Sequence, residues 1–278
     1  MISTNKPLRV FQSEWDQCSK CSLGERRLTA GESIIHGSGA MGQIMIVLEA
    51  PTWVEEKAGY PAQGDGGTFL LAVLKQLKLE DSVYITYSVL CRSCRVDTDN
   101  ATGLPRTRRG PGGHMVPAYR DNAPTGDQLN ACKQRLHEEV YIVDPVVIVA
   151  CGAVAVSAMV GKATTLASIR GEPMHVSVEG AGRAASITEK KHSWSRTLRG
   201  ETSWPTIPSA VRYLMVPTHD PLFVYRQYSD KRTNSPGDQF TKDLTTAAEI
   251  LQMYREVAPI GAATTNSTEP DAEDEEDD

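Results

Sequence analysis

The chain has 278 residues, 40% of them hydrophobic and 23% charged, with a formal net charge of −6. That length supports one core with large loops and is too long for a small disulfide scaffold. Six cysteines in such a chain point to metal ligation or catalysis before cross-links. No apolar run reaches the roughly 18–20 residues that span a bilayer, and Met1 to Val10 has polar residues where a targeting segment needs apolar ones. A soluble, intracellular (cytoplasmic) protein with no membrane partner is the expectation.

In chain order, strand-length apolar runs alternate with helical patterns. Ile44 to Leu48 reads as a fully apolar strand ending at Glu49-Ala50-Pro51. Thr68 to Leu79 has helical spacing, with Phe69, Leu70, Val73, Leu74 and Leu77 on one face. Val83 to Thr86 is a second strand, Gln128 to Val143 a helix, and Val146 to Ala150 a third strand. Cys151-Gly152-Ala153 opens a small-residue helix through Met159; Tyr213 to Val216 is a fourth strand and Thr241 to Val257 a closing helix. Uninterrupted apolar strands alternating with helices predict an α/β three-layer sandwich with a mostly parallel central sheet of about four strands. Ligands in such folds bind outside the carboxyl ends of the strands. That places a site at Glu49-Ala50-Pro51, Tyr87-Ser88 and the run Pro217 to Pro221.

Two insertions break the alternation. Arg95 to Gly126 holds Arg106, Arg108, Arg109 and a Gly-rich run, and reads as a flexible basic loop. Glu179 to Arg212 interleaves Lys190, Lys191, Arg196 and Arg199 with Trp194 and Trp204. Basic residues among aromatics suit phosphate contacts and base stacking, and equally suit solvated loops pinned to the body by tryptophan. Residues 269–278 carry eight acidic side chains and no basic one, leaving 27 acidic against 29 basic elsewhere. The body is therefore slightly basic, which permits a nucleic-acid partner. The domain is expected to run over 1–257 and the acidic tail, 258–278, to be disordered. The tail is either a solubilising terminus or a DNA mimic that reaches replication or repair proteins.

The cysteines leave two ligand sets open. Cys18, Cys21, Cys91 and Cys94 form a C-x2-C…C-x2-C pattern suited to zinc, whereas Cys18, Cys21, Cys91 and Cys132, each beside a stretch of the α/β pattern, leave zinc and an iron–sulfur cluster both open. In either set Cys151 reads as a small buried residue.

From Cys18 to Arg226 the chain resembles the family 4 uracil-DNA glycosylases, the iron–sulfur branch of that superfamily, and their phage relatives. The residues carrying the likeness are Cys18-x2-Cys21, Leu48-Glu49-Ala50-Pro51-Thr52, Gly59-Tyr60-Pro61-Ala62-Gln63-Gly64, Tyr84 to Arg92, Pro145 to Ala155, Ile169-Arg170-Gly171 and Val216 to Pro221. The resemblance implies a DNA-binding hydrolase of base excision repair that cleaves the N-glycosidic bond of a flipped uracil. It implies a [4Fe–4S] cluster on Cys18, Cys21, Cys91 and Cys132, with zinc as the alternative. It implies that Glu49 orients the attacking water and that His219 and Asp220 stand at the catalytic loop. Ala50, Pro51, Ala62 and Tyr87 would meet the base, and Arg92 and Arg226 the DNA, with Arg26 and Arg27 as further phosphate contacts. Arg106, Arg108 and Arg109 of the basic insertion, which lengthens the Cys91–Cys132 gap beyond the family's usual one, are DNA contacts expected from their charge.

At three positions the chain departs from that family. Ala62 stands for an aromatic that stacks on uracil, Tyr87 for an Asn that reads its polar edge, and Asp220 for a His that stabilises the departing base. An ionised carboxylate beside a uracil anion opposes the charge that must develop. A second reading follows from this. The same fold would then serve as a non-enzymatic DNA-binding or replication-accessory module with a remodelled pocket.

Overall fold

A computed structural model describes residues 7–109, 113–161, 165–178, 211–227 and 234–257. The second basic–aromatic insertion, apart from Val211 and Arg212, and the acidic tail lie outside the described residues.

The four predicted strands form the middle of the sheet. They are β2 (Ile44–Leu48), β3 (Val83–Tyr87), β8 (Val147–Cys151) and β10 (Val211–Thr218). All neighbouring pairs among them are parallel, in the order β3-β2-β8-β10. Two further strands, β1 (Ser38–Gly39) against β3 and β9 (Met174–Val178) against β10, are antiparallel and cap the edges. The sheet is thus six-stranded and mixed, not a clean four-stranded parallel one. The edge strands escape sequence reading for a physical reason. β1 is two residues of Ser-Gly, and β9 alternates in burial because only one of its faces is fully covered.

Helices cover both faces. On one lie α4 (Asp65–Gln76) and α8 (Pro236–Val257), whose Leu70, Val73, Leu74, Phe240, Leu244 and Leu251 pack with Ile44, Ile46 and Val149 of the sheet. On the other lie α5 (Gly126–Val143) and α6 (Gly152–Val160), packed through Leu136, Val140 and Val156 on Met45, Val47 and Ile148. Odd and even residues of one strand feed opposite cores, so β2 and β8 are apolar throughout. Each fully buried Val, Leu or Ile contributes on the order of 1.5–3 kcal/mol. Short helices α1 (Leu8–Trp15), α2 (Ser22–Ala30), α3 (Trp53–Ala58) and α7 (Pro221–Arg226) complete the body.

The first basic insertion is not a featureless loop. β4 (Cys94–Val96) pairs with β7 (Tyr119–Asp121), and β5 (Thr107–Arg109) with β6 (Met115–Pro117), both antiparallel. A Thr98–Pro105 bridge links the two ribbons' strands. The result is a β-structured arm with Arg106, Arg108 and Arg109 exposed. Its three-residue strands are too short and too polar to give an alternating apolar signal. Backbone pairing and charge, as in the Arg106 contacts to Asp97 and Asp99, hold it instead.

Candidate functional site

The chain order of the parallel strands places β3 on one side of β2, and β8 and β10 on the other. The crossover direction reverses between β2 and β8, where a crevice opens at the carboxyl ends. There the structure has a cleft of about 510 Å3, within the roughly 300–1,000 Å3 of small-ligand sites. Its walls include Glu49, Ala50 and Pro51 after β2, Tyr87 at the end of β3, Asp220 and Pro221 after β10, and Arg226 on α7. Asp121, Asn122 and Pro124, at the root of the β-arm, close another side.

Glu49 faces the start of α6. Gly152 has φ +88°, and a Cβ there would stand 2.6 Å from Glu49 Oε1 and 3.1 Å from Asp220 Cβ. Only glycine permits this backbone conformation while two carboxyl side chains press so close. The Val154 N–H donates to Glu49, yet burial and the Asp220 charge push its carboxyl up to about 7. Asp220 caps α7: its carboxylate accepts the Phe223 N–H at 2.8 Å and also the Leu222 N–H. Burial still raises its pKa above the usual carboxylate range, despite those donors. Two carboxyl groups of raised pKa therefore share one crevice. Such a pairing marks functional sites more often than structural ones.

Tyr87 is fully buried, and its hydroxyl accepts the Ala62 N–H at 3.1 Å. Burial and the nearby Glu55 carboxylate keep that phenol neutral. Ala62 is itself buried, with φ +58°, and does not line the cleft. The loop carrying it lies directly on α4, where a Cβ on Gly67 would come 2.4 Å from the Ala62 Cα. His219 turns from the cleft toward α8, its Nε2 2.8 Å from Gln239 Oε1.

The arginines separate into two groups. Arg92 is buried and joins Glu56 and Asp121, tying the root of the arm to α3. Arg26 pairs with Glu32 and Glu56, and buried Arg27 bonds the carbonyls of Asp16, Cys18 and Glu32. Arg106, Arg108, Arg109 and Arg226 are exposed.

Two features escaped sequence reading. Trp53, Tyr60 and Phe223 are large aromatics left well exposed, on the loops and short helices that follow β2 and β10. The other is a buried clamp beneath Tyr87. Arg135 pairs with Glu139 and donates to the carbonyls of Tyr87 (2.6 Å) and Ser88 (2.7 Å). Glu139 accepts the hydroxyls of Tyr84 and Thr86 at 2.9 Å each.

The expected [4Fe–4S] cluster, and zinc as its alternative, are not upheld. Among the described residues no group of three or more His, Cys, Asp or Glu side chains is arranged to hold a metal ion. Every cysteine is free. Cys21, Cys91 and Cys132 do gather at one corner, but as members of a small apolar cluster with Leu23 and Val89. Burial pushes Cys91 up to about 11 and raises Cys132 as well.

Fold and cleft together define an α/β protein with a site at the switch point of its sheet. Residues 36–245 match the uracil DNA glycosylase superfamily, and the chain belongs to that superfamily. It is similar to the type-4 uracil-DNA glycosylase of Thermotoga maritima, 28% identical over 178 residues, 63% of this chain and 77% of the relative. With the type-4 uracil-DNA glycosylase of Sulfurisphaera tokodaii the identity is 32% over 148 residues, covering 52% of this chain and about half (54%) of the relative. With that of Pyrobaculum aerophilum it is 28% over 192 residues, 66% and 83% of the two chains. Homology to the type-4 branch is thereby supported. No described helix is long and apolar enough to cross a membrane.

Proposed function

We propose that this protein binds DNA and hydrolyses the N-glycosidic bond of a base turned out of the stack into the cleft, as in base excision repair. Uracil, the base in the names of its relatives, is the reference substrate. The observation that carries this reading is Glu49. It ends the central strand β2 inside an open cleft, and the Val154 N–H fixes its carboxylate. Ionised, it is placed to accept a proton from a water attacking the sugar carbon. Ala50, Pro51 and Tyr87 form the wall against which the base would lie. Exposed Trp53, Tyr60 and Phe223 supply stacking surface, and Arg226 and the arm residues Arg106, Arg108 and Arg109 supply phosphate contacts. Arg92 serves by fixing the arm, and His219 by fixing the start of α7 against α8.

Single-turnover incubation with a labelled oligonucleotide holding one uracil, followed by alkaline cleavage, tests the reading. Abasic sites formed by the wild type and lost in Glu49→Gln support it; DNA binding without abasic sites in either overturns uracil as the substrate.

One observation favours the second reading, a non-enzymatic DNA-binding or replication-accessory module. The Tyr87 hydroxyl, at the position where the resemblance puts a base-reading amide, is committed to Ala62. In that case the cleft holds a base without cleaving it, and the acidic tail supplies the contact to replication or repair proteins.

A further inference from the structure

The proposed reaction leaves open which base the cleft suits, and the side chains around it bear on that choice. Uracil departs as an anion and presents carbonyl oxygens, so a uracil site needs hydrogen-bond donors aimed at the base. Here the charged side chains are mostly of the opposite kind, five carboxyl groups against one arginine. Glu49 and Asp220 converge on Gly152 at the inner end of the cleft. Glu55, Asp65 and Asp121 line the outer parts, and Arg226 is the cationic side chain among the lining residues. The tyrosine at the base-reading position is buried and spends its hydroxyl on Ala62. Asp121 is neutralised by Arg92, and Glu55 is occupied by the Thr52 N–H and hydroxyl. Glu49 accepts a backbone N–H, Asp220 accepts two and also feels the charge of Arg226, and both carboxyl groups line the cleft.

We infer that the cleft is built for a positively charged, N-alkylated purine rather than for uracil, with Asp220 as the residue that selects for it. This rests on the N-glycosidic reading of the same site. The chemistry balances without a further reactant. Water forms the O–C1′ bond as the C1′–N bond breaks. The electron pair of that bond stays on the ring nitrogen and cancels the positive charge, so the base leaves neutral. The water proton passes to Glu49 and then to solvent. A carboxylate at Asp220 holds the cationic base before cleavage and the cationic sugar as it forms. The feature that hinders loss of an anion therefore helps here. The burial that raises both carboxyl groups acts in the same sense, because a cation entering the crevice relieves it. The open cleft also accommodates a purine.

The full-length protein is incubated, under single-turnover conditions, with two duplexes that differ only in carrying N7-methylguanine or uracil. The expected result is methylguanine release at least about tenfold above its spontaneous loss and faster than uracil release. A tenfold ratio corresponds to 1.36 kcal/mol. Asp220→Asn keeps a helix-capping oxygen and removes the charge. It should lower methylguanine release about tenfold without lowering the melting temperature. The wild-type comparison needs no variant, so it decides the matter even if Asp220→Asn does not fold. Uracil released with methylguanine lost only at its spontaneous rate overturns the inference and leaves the N-glycosidic reading standing. Release of neither base overturns both. Equal methylguanine release by Asp220→Asn removes Asp220 from the selection.

Discussion

The hydroxyl of Tyr87 accepts the backbone N–H of Ala62, joining the end of β3 to a loop in the left-handed conformation. The aromatic that the resemblance leads one to seek at position 62 is absent, and the buried Tyr87 holds the backbone there instead. A non-glycine residue at φ +58° persists only where its surroundings hold it. Tyr87→Phe would strand the Ala62 N–H in a buried loop. It should cost about 1–3 kcal/mol in denaturant unfolding, with the slope of the transition unchanged.

The raised Glu49 carboxyl makes stability depend on pH in a stated direction. Its folded value of about 7 lies above the ordinary value of 4.5, so the folded state holds a proton that the unfolded state releases. Stability from this group is greatest below the ordinary value and is lost as pH rises to about 7. Asp220, also raised, acts in the same sense. Glu49→Gln should therefore raise stability at pH 8 by about 1–3 kcal/mol, and the melting temperature with it. At pH 4.5 it should change it little. Thermal melts of both proteins across that range check the sign.

Arg135 and Glu139 form a buried pair whose arginine also holds the last carbonyls of β3. Arg135→Met leaves the Glu139 charge buried and those carbonyls without a donor. Loss of about 3–5 kcal/mol is expected. Replacing both residues together should cost less than the single change, a comparison that a double-mutant cycle reads directly.

The β-arm predicts a salt-dependent contribution to DNA binding. Arg108→Ala and Arg109→Ala should each weaken binding uniformly across sequences and reduce the slope of log affinity against log salt by about 1. Arg92→Ala acts otherwise. It breaks the tie to Asp121 and Glu56, and limited proteolysis should then cut the arm faster without a matching change in salt slope.

How much of this was legible in the sequence follows from what each element is made of. The apolar run over 44–48 has the bounds of β2, and the runs over 83–86, 146–150 and 213–216 match β3, β8 and β10 to within two residues at either end. Burial on both faces forces a continuous apolar run in each core. Helix α4 was placed three residues late, because it begins with Asp65-Gly66-Gly67, residues chosen for close packing and not for helix propensity. The β-arm was read as a loop because its pairing is backbone and its side chains are polar. Glu49, Tyr87 and Asp220 were expected to meet and do so in one cleft. What the sequence could not show was direction: His219 faces α8, and Arg92 faces inward. The cysteine spacing suggested a metal centre. The thiols that gather do so within an apolar cluster.

The most direct test of the account is the pH dependence of single-turnover base release by the wild type and Glu49→Gln, on DNA carrying either uracil or N7-methylguanine. A carboxyl at about 7 that must be ionised to take the water proton predicts a wild-type rate rising with pH to a plateau above about 7. Glu49→Gln should be at least about 100-fold slower and flat over the same range. Equal rates in the two proteins, or a wild-type rate without that rise, would contradict the place given to Glu49.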